Sequence, residues 1–82
     1  MKLLVRNLER GTTEGQLLDL FKEYGAVQYC KLIKDDETGE SKGFAFVEMP
    51  KPGEAKAAMK NLNDIIIDGY KIRVKKAVAK SE

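Results

Sequence analysis

Eight consecutive residues, Lys42-Gly43-Phe44-Ala45-Phe46-Val47-Glu48-Met49, constrain this chain more than any other stretch. In an extended strand side chains alternate between faces, so Lys42, Phe44 and Phe46 share one face while Ala45, Val47 and Met49 share the other. Both faces therefore carry apolar or aromatic groups. A chain of 82 residues makes one small domain, expected to bury roughly 60–65% of the surface its unfolded form exposes. It has the material to cover one such face with helices, not two. If the Ala/Val/Met side packs inward, a cation and two phenyl rings stand in a row facing water, an arrangement that is costly and calls for a use. The reverse assignment, with the rings in the core, would leave Ala45, Val47 and Met49 in water.

The remaining segments supply the helices and the partner strands. Lys2 to Asn7 reads as a strand, with Leu3 and Val5 on one face and Leu4 and Arg6 on the other. Thr13 is placed as a helix N-cap, because Gln16 three residues on completes a capping box. Leu17, Leu20, Phe21 and Tyr24 follow at helical spacing, and Gly25 is a natural stop. Gly15 weakens the first turn by about 1 kcal/mol relative to alanine. Val27 to Lys34 has strand composition, with Cys30 and Leu32 alternating against Tyr29, Lys31 and Ile33. A polar turn, Asp35 to Ser41, leads into the strand from Lys42 to Met49. Pro52 suits the first position of a second helix, where its missing N–H costs nothing. Ala55, Ala58, Met59 and Leu62 form that helix's inward stripe, and Asn63-Asp64 end it. Asp68-Gly69, between Ile65-Ile66-Ile67 and Tyr70-Lys71-Ile72-Arg73-Val74, is a strong hairpin signal. In the last strand Ile72 and Val74 point inward, with Lys71, Arg73 and Lys75 outward.

The order strand, helix, strand, strand, helix, strand is the split βαβ pattern. It predicts an α+β, ferredoxin-like βαββαβ sandwich: a four-stranded antiparallel sheet with two helices on one face. The other face of the sheet stays bare, and Phe44 and Phe46 belong to it.

Composition narrows the function classes. Apolar content of 43% and charged content of 34% are those of an ordinary soluble globular protein. The longest apolar run, Phe44 to Val47, is four residues, far short of a membrane span, and the N-terminus has no secretory-signal pattern. A single cysteine, Cys30, has no internal disulfide partner, and with no histidine in the chain a zinc site is not expected. These features point to a reducing, cytoplasmic setting. The lack of histidine also removes the commonest acid–base catalyst, so no enzymatic role, cofactor or metal is expected. Cys30 reads as an inert thiol alternating inward with Leu32. An acyl-phosphate-cleaving domain of the same element order would need an anion-cradling glycine loop after the first strand. Residues 8–13, Leu-Glu-Arg-Gly-Thr-Thr, supply one glycine and an acid.

Net charge is only +2, but its placement is uneven. Residues 71–80 hold Lys71, Arg73, Lys75, Lys76 and Lys80 with no acid. Residues 35–40 hold four acids with no base, and the first helix, Glu14 to Glu23, sums to −2. The bases thus gather on strands of the bare face and their exit, the acids on a loop and the helix side. A flat aromatic surface beside such cations suits unstacked bases, because every base has a π-face and every nucleotide a phosphate.

The residues from Lys42 to Met49 resemble the ribonucleoprotein octamer of the RNA recognition motif family, Lys/Arg-Gly-Phe/Tyr-Gly/Ala-Phe-Val-x-Phe/Tyr, at seven of eight positions; only Met49 departs. Leu3-Leu4-Val5-Arg6-Asn7-Leu8 resembles the companion hexamer of the first strand. The resemblance runs from residue 2 to about 76 and includes Asp35, the Thr38-Gly39 turn and the Ile72/Val74 strand. It implies a domain over residues 1–76 followed by a short polar tail, 77–82, and a monomer like the small stand-alone members found in bacteria and some organelles. It also implies single-stranded RNA as the partner, with single-stranded DNA as an alternative. Carried over position by position, Phe46 stacks on one base, Phe44 contacts a second base or a sugar, and Lys42 pairs with phosphate. Arg6, Lys31, Ile33, Arg73 and Lys75 surround them. Leu4 stands where the family usually has an aromatic residue; it covers a base without a π-face, which predicts weaker binding. That same substitution is the feature favouring a second reading, a member that uses the sheet to bind a peptide.

Overall fold

The computed structural model describes residues 1–77. Its elements run β1 (Lys2–Arg6), α1 (Glu14–Lys22), β2 (Tyr29–Lys34), β3 (Ser41–Glu48), α2 (Pro52–Leu62), β4 (Ile66–Ile67), β5 (Tyr70–Lys71) and β6 (Arg73–Lys76). Strands β2, β3, β1 and β6 form one sheet in that order, every pairing antiparallel, and β4 and β5 form a separate two-stranded hairpin. Both helices lie against one side of the sheet, α1 over β2 and α2 over β6 and β1. The expected sandwich is the one observed.

Local chemistry explains why the helices begin where they do. The Thr13 side chain accepts from the Gln16 backbone N–H at 3.2 Å, and the Gln16 side chain accepts from the Thr13 N–H at 2.9 Å, so the capping box is complete. Pro52 occupies the first turn of α2 as its fixed φ and missing donor favour. The inward faces of sheet and helices then close on each other. Leu3, Val5, Ala45, Val47, Met49, Ile72 and Val74 from the strand side meet Leu17, Phe21, Ala55, Ala58 and Leu62 from the helices, all buried. The Ala/Val/Met side of β3 is thus the core side, which leaves the phenyl rings outside.

The last strand departs from expectation. Residues 70–74 do not form one strand: β5 ends at Lys71 and β6 starts at Arg73. The break falls at Ile72, whose N–H donates to Ile65 O at 2.9 Å and whose carbonyl accepts from Asp64 N at 2.8 Å. Its backbone groups thus extend the Asp68-Gly69 hairpin, while its buried side chain stays in the core. The hairpin turn itself is as read, with Asp68 at φ 54° and Gly69 at φ 86°, the left-handed pair a two-residue turn requires. Thr12, buried just before the N-cap of α1, donates its hydroxyl to Asp68 at 2.8 Å and ties the hairpin down. β2 begins two residues later than its composition suggested, at Tyr29, because Val27 turns in towards the core. The expected tail, with Lys80, lies beyond the described residues except for Ala77, whose N–H donates to Lys2 O.

Candidate nucleic-acid interface

Strand register sets which side chains become neighbours on the bare face. Leu4 is opposite Phe46 on one side and Lys75 on the other, and Lys31 is opposite Phe46 from β2. This gives a row across the sheet: Lys31, Phe46, Leu4, Lys75. A second row runs Phe44, Arg6, Arg73, and a third Tyr29, Glu48, Lys2. Directly opposed side chains sit about 4.5–5.5 Å apart at Cβ, so each row is a continuous surface. In the row through Phe46 and Leu4, apolar groups occupy the middle and lysines the two flanks, while the other two rows carry Arg6 and Lys2 on β1 and Glu48 on β3. Arg6, Lys71, Arg73 and Lys75 line a shallow cleft at one flank, and Lys31 stands at the other with Ile33, Tyr29 and Phe46. Phe44, Phe46, Leu4 and Ile33 are half-buried, while Arg6, Lys31, Arg73 and Lys75 are exposed.

The two rings are not a flat pair. Their centroids are 6.0 Å apart and their planes meet at 87°, an edge-to-face contact that the ring quadrupoles favour over parallel stacking. A base lying flat on one ring therefore meets the other ring edgewise. The expected flat platform is thus replaced by two ring surfaces set perpendicular to each other.

Lys42 is also placed differently from simple alternation. The β2–β3 register shifts between Leu32, opposite Ala45, and Lys34, opposite Ser41. Three residues of β3 thus face one of β2. Gly43, at φ 85°, takes the left-handed conformation that this bulge needs. Its carbonyl accepts from Leu8 N at 2.9 Å, fixing the bulge to the end of β1. Lys42 is carried into a cleft at the sheet end, lined also by Phe44, Tyr70, Asp35, Glu40 and Glu9. It accompanies Phe44 there, and the same cleft holds Arg10, which pairs with Glu40. Asp35 holds the turn there: its carboxylate accepts from the N–H groups of Glu37 (2.8 Å) and Thr38 (3.2 Å). Those two bonds lower its pKa below the usual aspartate value, and the Lys42 charge lowers it further.

Other residues resolve simply. Arg73 pairs with Asp64 at 3.3 Å and Arg10 with Glu40 at 3.2 Å, both at the surface, where such pairs contribute little. Asn7, at φ 62°, caps the end of β1 by donating from Nδ2 to Lys71 O at 2.8 Å, as a strand-end residue should. Tyr24 packs against the core as expected. Tyr70 is 47% exposed and lines the same cleft as Lys42 and Phe44. Cys30 is half-buried, and burial, with the Glu14 charge adding to it, pushes its thiol up to about 11, consistent with an inert thiol.

Sequence reasoning missed Lys2. Its ammonium lies 4.6 Å from the centroid of the Phe46 ring. Alternation along the first strand was the signal for it: Lys2 shares its face with Leu4, two residues on. Among the described residues no group of three or more His, Cys, Asp or Glu side chains is placed to hold a metal ion. No helix among them is long and apolar enough to cross a membrane.

Comparison with known proteins gives one consistent family. Residues 3–73 match the family model described as RNA recognition motif. The chain is 42% identical over 76 residues to glycine-rich RNA-binding protein 1 of Mycosarcoma maydis, covering 93% of this chain and 43% of that protein. It therefore spans less than half the length of that relative. Among solved structures, the crystal structure of RNA binding protein PG1 superposes with a TM-score of 0.93 at 40% identity, covering 100% of this chain and 99% of that one. The Sxl-lethal protein/RNA complex superposes with a TM-score of 0.92 at 31% identity, covering 99% of this chain and 48% of that one.

Proposed function

The chain belongs to the RNA recognition motif family, and from that premise we propose that it binds single-stranded RNA across the bare face of its sheet. The observation that carries this reading is the central pair Phe44 and Phe46, left half-exposed on the sheet between Arg6, Arg73 and Lys75 on one flank and Lys31 on the other. Nothing in folding requires that arrangement, and a nucleotide uses all of it. Phe46 stacks on a base. Phe44, perpendicular to it, borders the next sugar or base. Arg6, Lys31, Arg73 and Lys75 meet the phosphates, with Lys42 reaching one from the end of the sheet. Leu4 and Ile33 supply apolar cover between them. The role is binding, with no catalytic step, and the domain acts as a monomer over residues 1–76.

Magnitudes set the scale. Stacking contributes about 1–3 kcal/mol per base, and a micromolar dissociation constant corresponds to about 8 kcal/mol. Two rings and a few phosphate contacts over two to four nucleotides therefore give roughly micromolar binding, weakening with salt. Sequence preference is modest because stacking accepts any base. The paired substitution Phe44→Ala with Phe46→Ala tests the reading, measured by fluorescence anisotropy with a pool of labelled single-stranded RNA octamers. Loss of binding in a folded double variant is expected; wild-type affinity in that variant refutes it. Leu4 favours a peptide on the same face instead, and salt dependence separates the two, since peptide binding by apolar contact lacks the steep loss on adding salt. The same series run with single-stranded DNA decides between the nucleic acids.

A further inference from the structure

Lys2 occupies a position the RNA-binding reading leaves unused. It lies on the same sheet face as Phe46, and its ammonium stands over that ring at 4.6 Å from the centroid. It makes no ion pair among the described residues: Glu48, opposite it in the register, is held instead by the Met1 amino group at 2.9 Å. A base stacked on that ring face lies about 3.5 Å from the ring atoms, and the ammonium over the ring at 4.6 Å from the centroid leaves no room for it. Base and ammonium cannot occupy the ring together. A nucleotide that displaces the ammonium also brings a phosphate, and a lysine is a point charge on a flexible four-carbon stem able to follow it.

We propose that Lys2 is a nucleic-acid-binding residue that changes partners on binding. It caps the Phe46 ring in the free protein and moves to a phosphate of the nucleotide that takes its place. This rests on RNA binding at the sheet face and adds a consequence to it. Lys2 gives up its contact with the ring in order to gain the phosphate, so it contributes less to affinity at low salt than an uncommitted lysine would. Its signature is in the salt dependence, because each phosphate contact on a single strand adds about 0.7 to the slope of log K against log salt concentration.

The test uses the whole chain and the Lys2→Met variant, which keeps the stem and removes the charge. In the free wild type the Lys2 ε-methylene protons are expected upfield, in the ring current of Phe46, and return towards their ordinary position as RNA saturates the protein. The slope for K2M is expected to be smaller by about 0.7, equivalent to about two- to threefold in relative affinity over a fourfold change of salt. An upfield shift that persists in the saturated complex overturns the exchange, and so does an unchanged slope for K2M. A wild type that binds no RNA overturns the proposed function together with this role. A wild type that binds with the same slope as K2M removes the role of Lys2 alone.

Discussion

Replacing Leu4 with phenylalanine tests the account by gain instead of loss. Leu4 lies in the middle row of the sheet face, directly between Phe46 and Lys75, and is half-buried. Leucine already provides apolar cover there, so the gain from a ring is its π-interaction beyond area burial, about 0.5–1.5 kcal/mol. With tenfold in affinity per about 1.4 kcal/mol, the dissociation constant falls by about two- to twelvefold. The fold has little at stake, because the substitution is on the face opposite the core. Changes at such positions stay within about 0.5 kcal/mol, which moves the melting temperature of a domain this size by less than about 4 °C. Fluorescence anisotropy with a labelled single-stranded RNA octamer, at one fixed salt concentration, measures the gain, and a thermal melt monitors the fold. Unchanged or weaker binding by a variant with a normal melt refutes the reasoning, since it means that no base passes over the centre of the sheet.

Two further outcomes follow from titrating groups outside the rings. The Asp35 carboxyl has a folded pKa below its unfolded one, because the Glu37 and Thr38 N–H groups favour its charged form. Its contribution to the β2–β3 turn is therefore complete above the unfolded value and lost as pH falls through the folded one. The amide resonances of Glu37 and Thr38 should titrate with a midpoint below that of an ordinary aspartate, and a midpoint at or above it contradicts the hydrogen bonding described. The Cys30 thiol, raised to about 11 by burial and the Glu14 charge, should be alkylated slowly by iodoacetamide at mildly alkaline pH and far faster in denaturant. Equal rates in the two conditions show that Cys30 is not shielded as described.

Local signals carried most of the fold. The Thr13/Gln16 capping box, Pro52 and the Asp68-Gly69 turn each act within a few residues, and each stands where the sequence placed it. The alternation along β3 separated core from surface correctly, with Ala45, Val47 and Met49 inward and Phe44 with Phe46 outward. What escaped depended on contacts distant in sequence or on backbone irregularity. Period-two reasoning assumes a regular strand, so the bulge at Gly43 moved Lys42 among acids that no alternation pattern could reveal. Ile72 carries the composition of a strand residue, yet its hydrogen bonds go to Asp64 and Ile65. The 87° angle between the rings and the seat of Lys2 over Phe46 are products of side-chain packing across strands.

The claim that the sheet, and not the helices, receives nucleic acid is tested most directly by an NMR titration of the isotope-labelled protein. The titrant is a pool of randomised single-stranded RNA octamers, used at two salt concentrations. The account predicts shifts at Leu4, Arg6, Lys31, Phe44, Phe46 and Arg73 that diminish at the higher salt. Shifts gathered on the outer surfaces of α1 and α2, at residues such as Asp19, Lys56 and Lys60, or a spectrum that does not respond, would contradict it.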